Sequence, residues 1–277
     1  MAAPSIPKLS AHGADIPAIG FGTSSLGDCG EIVATALGLG YRHIDTAWKY
    51  GTERGVGEGI RASGVPRSDI FLTTKVSHEY LRRDDFARSV DESLANLGVD
   101  FVDLLLVHWP NPDIPLAQPM AALALAKRAG LARHIGVANF NIALLDEAIR
   151  LCPEPLVALQ AEYHAHLDQT RLTQACRRRG LIFTAYCPLG RGRLLRDPVL
   201  ADIAVHKGRT LAQVALRWLI QQGNIAAIPR SSNAERMAEN LDVFDFTLTE
   251  GEMRRIAALK RPDGRIADPA GRAPAWD

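Results

Sequence analysis

Residues 70–108, IFLTTKVSHEYLRRDDFARSVDESLANLGVDFVDLLLVH, hold one complete unit of the architecture. Ile70–Val76 and Val102–His108 are apolar, β-branched runs of strand length. Between them Phe86, Val90, Leu94 and Leu97 recur at helical spacing, so Asp84–Leu97 is predicted to be an amphipathic helix. Strand, helix and strand in this order favour a parallel pair, because a parallel connection needs a crossover of a dozen or more residues.

The same alternation continues in both directions. Further strand-like runs lie at Ile19–Thr23, His43–Ala47, His134–Asn139, Leu156–Tyr163, Leu181–Pro188 and Asn224–Arg230, and Leu211–Gln221 is another helical segment. Eight strands alternating with helices predict an α/β fold, a (β/α)8 TIM barrel. Ile6–Leu9 and Ile16–Ala18, joined by a turn at Gly13, predict a β-hairpin that caps the bottom of the barrel. No linker or low-complexity tract interrupts residues 1–277, so a single domain is expected, and that length suits one barrel.

Composition narrows the function. The 32 basic and 31 acidic residues are interspersed and leave a net charge of +1, so no global field favours nucleic acid or a membrane surface. Arg177, Arg178 and Arg179 read as a helix end, where cations suit the dipole. Cys29, Cys152, Cys176 and Cys187 form no C-x-x-C pair, and a chain of this size needs no disulfide. MAAPSIPKLS has no leader pattern and no run reaches membrane-spanning length. A cytoplasmic protein with reduced thiols is the expectation.

Four residues, Asp45, Tyr50, Lys75 and His108, stand at or just beyond predicted strand ends, which in a parallel barrel all open on one face. A phenol beside an ammonium can serve as a proton donor. An ammonium about 4 Å away at an effective dielectric near 20 is worth ~4 kcal/mol, or roughly 3 pKa units downward for the phenol. Tyr50 is therefore the candidate general acid, Lys75 its activator, Asp45 the group that orients Lys75, and His108 a hydrogen-bond donor to a substrate oxygen. Each residue taken alone has an ordinary structural role open to it: helix cap, surface cation, packing ring, core histidine.

GYRHIDTAWKYGTERGVG, TTKV, DLLLVHWP, GVANF, AYCPLG and IPRSSNAERMAEN resemble, in order and spacing, the signature segments of the aldo-keto reductases. The resemblance covers nearly the whole chain and is strongest to the small bacterial diketogluconate reductases, through the short loop Asn111–Pro119 and the tail APAWD. It implies reduction of keto sugar acids, methylglyoxal and assorted aldehydes with NADPH, by a monomer. It places Tyr186 flat against the nicotinamide, with Cys187 and Leu189 beside it, and gives Asn139 and Gln160 its carboxamide. It assigns Arg230, Ser231, Ser232 and Arg236 to a 2′-phosphate, which guanidiniums bind bidentately, and Glu239 and Asn240 to adenine. No G-x-G-x-x-G follows a strand, so a Rossmann mode is not expected.

Departures from the family pattern matter as well. Ala138 and Cys187 replace serines and Arg230 replaces a lysine. Ser24 and Ser77 stand where aromatic residues are common, so the substrate pocket is expected to be wider or wetter, with Trp48 and Trp109 as its walls. Arginines near Cys187 suggest a lowered thiol pKa, against the alternative of an inert buried cysteine. Two other functions remain open. A metal-dependent barrel hydrolase would use His164 and His166, whose i, i+2 spacing puts them on one face of a strand end. A cofactor-sensing protein on the same barrel would turn over poorly.

Overall fold

The computed structural model describes residues 6–277, so the first five residues of the leader reading lie outside it. The chain opens on an antiparallel hairpin, β1 (Lys8–Ala11) and β2 (Ala14–Pro17), in register Ala11 to Ala14. His12 and Gly13 make the two-residue turn with φ of 46° and 86°, the left-handed pair that matches the twist of a tight hairpin.

Eight parallel strands follow: β3 (Phe21–Gly22), β4 (His43–Asp45), β5 (Phe71–Val76), β6 (Val102–Val107), β7 (Ala132–Ala138), β8 (Leu156–Glu162), β9 (Ile182–Tyr186) and β10 (Ile225–Ala227). Each pairs with its sequence neighbours, from β3 through to β10. The segment leading into β3 returns to β10: Gly20 N donates to Ala227 O at 2.9 Å, Gly22 N to Pro229 O at 3.0 Å, and Ala227 N to Ala18 O at 2.9 Å. The sheet is thereby closed, as a (β/α)8 barrel requires.

Around it lie α1 (Gly30–Leu39), α2 (Glu53–Ala62), α3 (Arg83–Leu97), α4 (Ala117–Arg128), α5 (Ile142–Leu151), α6 (Thr170–Arg178), α7 (Pro198–Lys207), α8 (Leu211–Ile220), α9 (Ala234–Leu241) and α10 (Glu250–Ala257). The predicted α3 face is buried through Phe86, Val90, Leu94 and Leu97, each side chain worth about 1.5–3 kcal/mol in transfer free energy, and Gly98 ends the helix at φ 65°. Arg177 and Arg178 close the last turn of α6 as expected. At Gly57 of α2 an added Cβ would lie 2.1 Å from Leu97 O, so only glycine lets α2 and α3 approach this closely.

Strand alternation divides the core in two. Leu105, Val107, Leu159 and Phe183 point outward to the helices, while Leu104, Leu106, Ala158, Ile182 and Ala226 fill the interior. Ala11, Ala14 and Ile16 of the hairpin join the interior cluster, which plugs the end of the barrel opposite the strand carboxyl termini. Several ladders are shorter than the apolar runs suggested. β4 stops at Asp45 rather than Ala47, and β10 at Ala227 rather than Arg230. At both places the backbone leaves the sheet to serve the open face, where the Thr46 carbonyl accepts from Lys75 Nζ at 2.8 Å.

Candidate active site

Lys75 is the centre of the open face. It lies on β5, is fully buried, and donates to Asp45 Oδ1 at 2.6 Å on the neighbouring β4, with Tyr50 OH at 3.5 Å. The other Asp45 oxygen accepts from Gln160 Nε2 at 2.7 Å, so a carboxylate on β4 ties β5 and β8 together across the interior. Thr52 braces the loop beyond β4, meeting the hydroxyls of Thr46 at 3.0 Å and Thr23 at 3.2 Å. Tyr50 closes a short 3-10 turn, Trp48–Tyr50, that brings the phenol back over Lys75.

Electrostatics correct one expectation. Burial pushes the Tyr50 phenol above its ordinary range, Lys75 pulls it down, and Asp45 pushes it up again, with a net rise. The downward shift expected from Lys75 alone is outweighed, because desolvating a phenolate costs more than one partly neutralised ammonium returns. Burial pulls Lys75 down, but Asp45 and Tyr50 outweigh it and hold the ammonium above its ordinary range.

His108 meets the Tyr50 ring edge-on, with centroids 5.4 Å apart. Burial, then the charges of Lys75 and Arg272, hold its imidazole well below the ordinary range, so it is neutral near pH 7 and offers one N–H. Its carbonyl accepts from Asn139 Nδ2 at 2.8 Å, and Asn139 Oδ1 accepts from Tyr186 OH at 2.7 Å. Asn139 and Cys187, at the ends of β7 and β9, both have left-handed backbones, φ 63° and 49°, which turn the chain sharply into the site. His108, Asn139 and Tyr186 thus form a chain of contacts beside the Asp45, Lys75 and Gln160 cluster.

The phosphate candidates gather where β10 meets α9. Arg230, Ser232 and Arg236 are exposed, Ser231 and Glu239 are half-buried, and Asn240 is buried. Arg230 Nη1 donates to the carbonyls of Ser24 and Ser25, both at 3.2 Å. Asn233 caps α9 through Arg236 N at 2.9 Å, leaving a helix N-terminus between the two arginines. Ser24 is exposed and its contact with Arg230 is through its backbone carbonyl, while the buried Ser77 gives its hydroxyl to Glu79 Oε2 at 2.9 Å. Trp48 packs on Tyr80 at 4.8 Å, and Trp109 on Trp276 at 6.2 Å. Cys187 and Leu189 are half-buried on the loop after β9. Burial pushes the Cys187 thiol up against the pull of Arg191, which reverses the expected lowering.

The sequence reading missed the C-terminal segment. Glu162, fully buried at the end of β8, accepts from Ile266 N at 2.8 Å, Ala267 N at 2.6 Å and the His164 ring at 2.9 Å. Asp277 Oδ2 accepts from Ile142 N at 2.9 Å and so fastens the far end of the tail to the start of α5. The one available signal was a carboxylate two residues beyond Gln160, on the same inward face of β8.

His164 and His166 lie beyond β8, which ends at Glu162, and although their ring centroids are 6.3 Å apart they take different partners, His164 Nε2 with Glu162 Oε1 at 2.9 Å and His166 Nε2 with Asp197 Oδ2 at 3.2 Å. Among the described residues no group of three or more histidine, cysteine or acidic side chains is placed to hold a metal. A cavity of about 390 Å³ lined by His166, Arg193, Arg196, Asp197, Arg261 and Asp263 lies apart from the strand-end cluster and contains none of the other predicted site residues.

A sequence model of the Aldo/keto reductase family matches residues 18–261. The chain belongs to this family. The reductase is 41% identical to a methylglyoxal reductase, DkgB, of Salmonella typhi over 267 residues, covering 95% of this chain and 99% of that one. A crystal structure of a protein provisionally designated 2,5-diketo-D-gluconic acid reductase B superposes with TM-score 0.97 at 47% identity, over 99% of the reductase and 98% of that chain. A variant of Gox0644 solved in complex with NADPH gives TM-score 0.89 at 35% identity, over 96% and 97% of the two chains. No helix of the reductase is long and apolar enough to cross a membrane, again among the described residues.

Proposed function

We propose that this reductase converts aldehydes and ketones, among them keto sugar acids, methylglyoxal-like compounds and aromatic aldehydes, to alcohols with NADPH, acting as a cytoplasmic monomer of one domain. The observation that carries the reading is the fully buried Lys75 between Asp45 at 2.6 Å and Tyr50 OH at 3.5 Å, on the face where the barrel strands end.

The residues present fit the cofactor. Arg230, Ser231, Ser232 and Arg236 at the start of α9 suit its 2′-phosphate, and Glu239 and Asn240 its adenine. Tyr186, held by Asn139, offers a ring for stacking, with Cys187 and Leu189 alongside. Gln160 has committed its Nε2 to Asp45, which leaves its Oε1 to accept from the nicotinamide carboxamide. Bound there, NADPH supplies a hydride to the carbonyl carbon.

The negative charge that then develops on oxygen needs a proton. His108 is neutral and cannot act as the acid, so its N–H orients the oxygen and the proton comes from Tyr50. Lys75, kept charged by Asp45, stabilises the phenolate left behind. Trp48 and Trp109 wall the substrate space, while Ser24 and Ser77 stay at its margin. Aldehyde-dependent loss of NADPH absorbance over diketogluconate, methylglyoxal and nitrobenzaldehydes tests the proposal. NADPH binding without oxidation by any of these would favour the sensor reading instead.

A further inference from the structure

The C-terminal tail brings two guanidiniums to the catalytic face, and their settings differ. Arg265 stacks 3.7 Å over Trp276, with the carboxylates of Glu162, Asp268 and Asp277 close enough to act on its charge. Arg272 lies seven residues further along the tail. Its guanidinium lies 5.8 Å from the Trp109 ring, immediately after His108 in the chain, and its buried Nε has no hydrogen-bond partner. Arg272 joins none of the ion pairs among the described residues, whereas Lys49 is matched by Glu79 at 2.9 Å and Lys75 by Asp45 at 2.6 Å. Its field is felt at both His108 and His78. Arg265 also joins no ion pair among the described residues and has a buried Nη1 without a hydrogen-bond partner, but its stacking on Trp276 and the three nearby carboxylates tie it to the tail, which leaves the Arg272 guanidinium as the one set beside Trp109 and His108.

We propose that Arg272 receives a carboxylate of the substrate, so that the preferred carbonyl compound is an oxo acid, held by this guanidinium while its carbonyl group faces Tyr50 and His108. A planar guanidinium presents paired donors that match a carboxylate, and stacking near Trp109 keeps the fork in one plane without competing for those donors. The proposal rests on the carbonyl-reductase reading and narrows its substrate class.

The test compares para-carboxybenzaldehyde with its methyl ester, which present the same reacting group and differ in charge. Steady-state kcat and KM are measured with NADPH for the wild type, Arg272→Gln and Arg272→Lys. The wild type is expected to favour the carboxylate. In Arg272→Gln the carboxylate-to-ester ratio of kcat/KM falls by about 10- to 100-fold, mostly through KM, and Arg272→Lys recovers part of it. In the wild type, added salt erodes the carboxylate's advantage. An equal ratio in wild type and Arg272→Gln, or a wild-type preference for the ester, overturns the proposal. If tryptophan fluorescence shows that the glutamine variant has released its tail, the wild-type ratio and its salt dependence decide alone. Reduction of neither aldehyde would instead overturn the carbonyl-reductase reading.

Discussion

The Lys75 ammonium is closer to Asp45 than to Tyr50, 2.6 Å against 3.5 Å, and all the charge in this pair is buried. The cation is thus spent first on holding itself in the barrel and only second on the phenol. Lys75→Met leaves Asp45 buried without its counter-ion, and loss of one partner of such a pair costs about 3–5 kcal/mol. Adding Asp45→Asn removes the stranded charge. The double variant is expected to regain most of the stability in urea denaturation but none of the turnover, which separates the structural role of the pair from its catalytic one. Recovery of turnover along with stability would show that Lys75 does not act on Tyr50.

A second titration lies at the other end of the interior. His43 is 1% exposed, and its Nε2 contacts Thr73 Oγ1 at 3.1 Å. Burial pulls its pKa down to about 4, against the raising effect of Asp45. The unfolded chain binds this proton near pH 6.5 and the folded one only near 4, so stability falls as pH drops through that window, by about 3 kcal/mol in all. Below about 4 both states are protonated and this contribution stops growing. Denaturation midpoints measured from pH 7 to 4 should show a loss to which the buried His108 also contributes, and His43→Gln should lessen it by the share due to His43.

Much of this was legible from residue order alone. The eight strands, the α3 face and the joining of Asp45, Tyr50, Lys75 and His108 follow from periodicity and from where strands end. The grip of Glu162 on the tail did not, because its partners are backbone N–H groups of Ile266 and Ala267, which carry no side-chain pattern. For His164 and His166 same-face spacing requires a continuing strand, whereas β8 stops at Glu162 and the two rings pair with different carboxylates, Glu162 and Asp197. The shifts of Tyr50 and Cys187 were misjudged for a common reason. Pairwise charge is visible in a sequence, whereas desolvation depends on the fold.

Cofactor choice gives a third prediction. Replacing Arg230 and Arg236 with uncharged residues should weaken NADPH by roughly 2–4 kcal/mol, taking charge-assisted bonds at about 1.5–3 kcal/mol each and allowing for non-additivity. NADH should lose much less. Fluorescence titration with both cofactors checks this, and equal losses would mean that these arginines do not read the phosphate.

The cysteines give a fourth. Burial raises Cys187 and Cys152, and pushes Cys29 up to about 11 and Cys176 up to about 12. Alkylation at pH 7 should therefore be slow at all four thiols and accelerate only above about pH 9. Peptide mapping should find the half-buried Cys187 labelled ahead of the buried Cys29 and Cys176, with NADPH protecting it. Rapid labelling of Cys187 at neutral pH would show that Arg191 outweighs burial.

The central claim is that the Tyr50 hydroxyl delivers the proton. Tyr50→Phe keeps the ring against His108 and removes only that hydroxyl, so single-turnover kinetics with NADPH and a reactive aldehyde isolate the step. The account predicts nearly unchanged NADPH affinity and a turnover lower by at least ~10²-fold, the usual cost of losing a general acid. Turnover near the wild-type rate in Tyr50→Phe would contradict it.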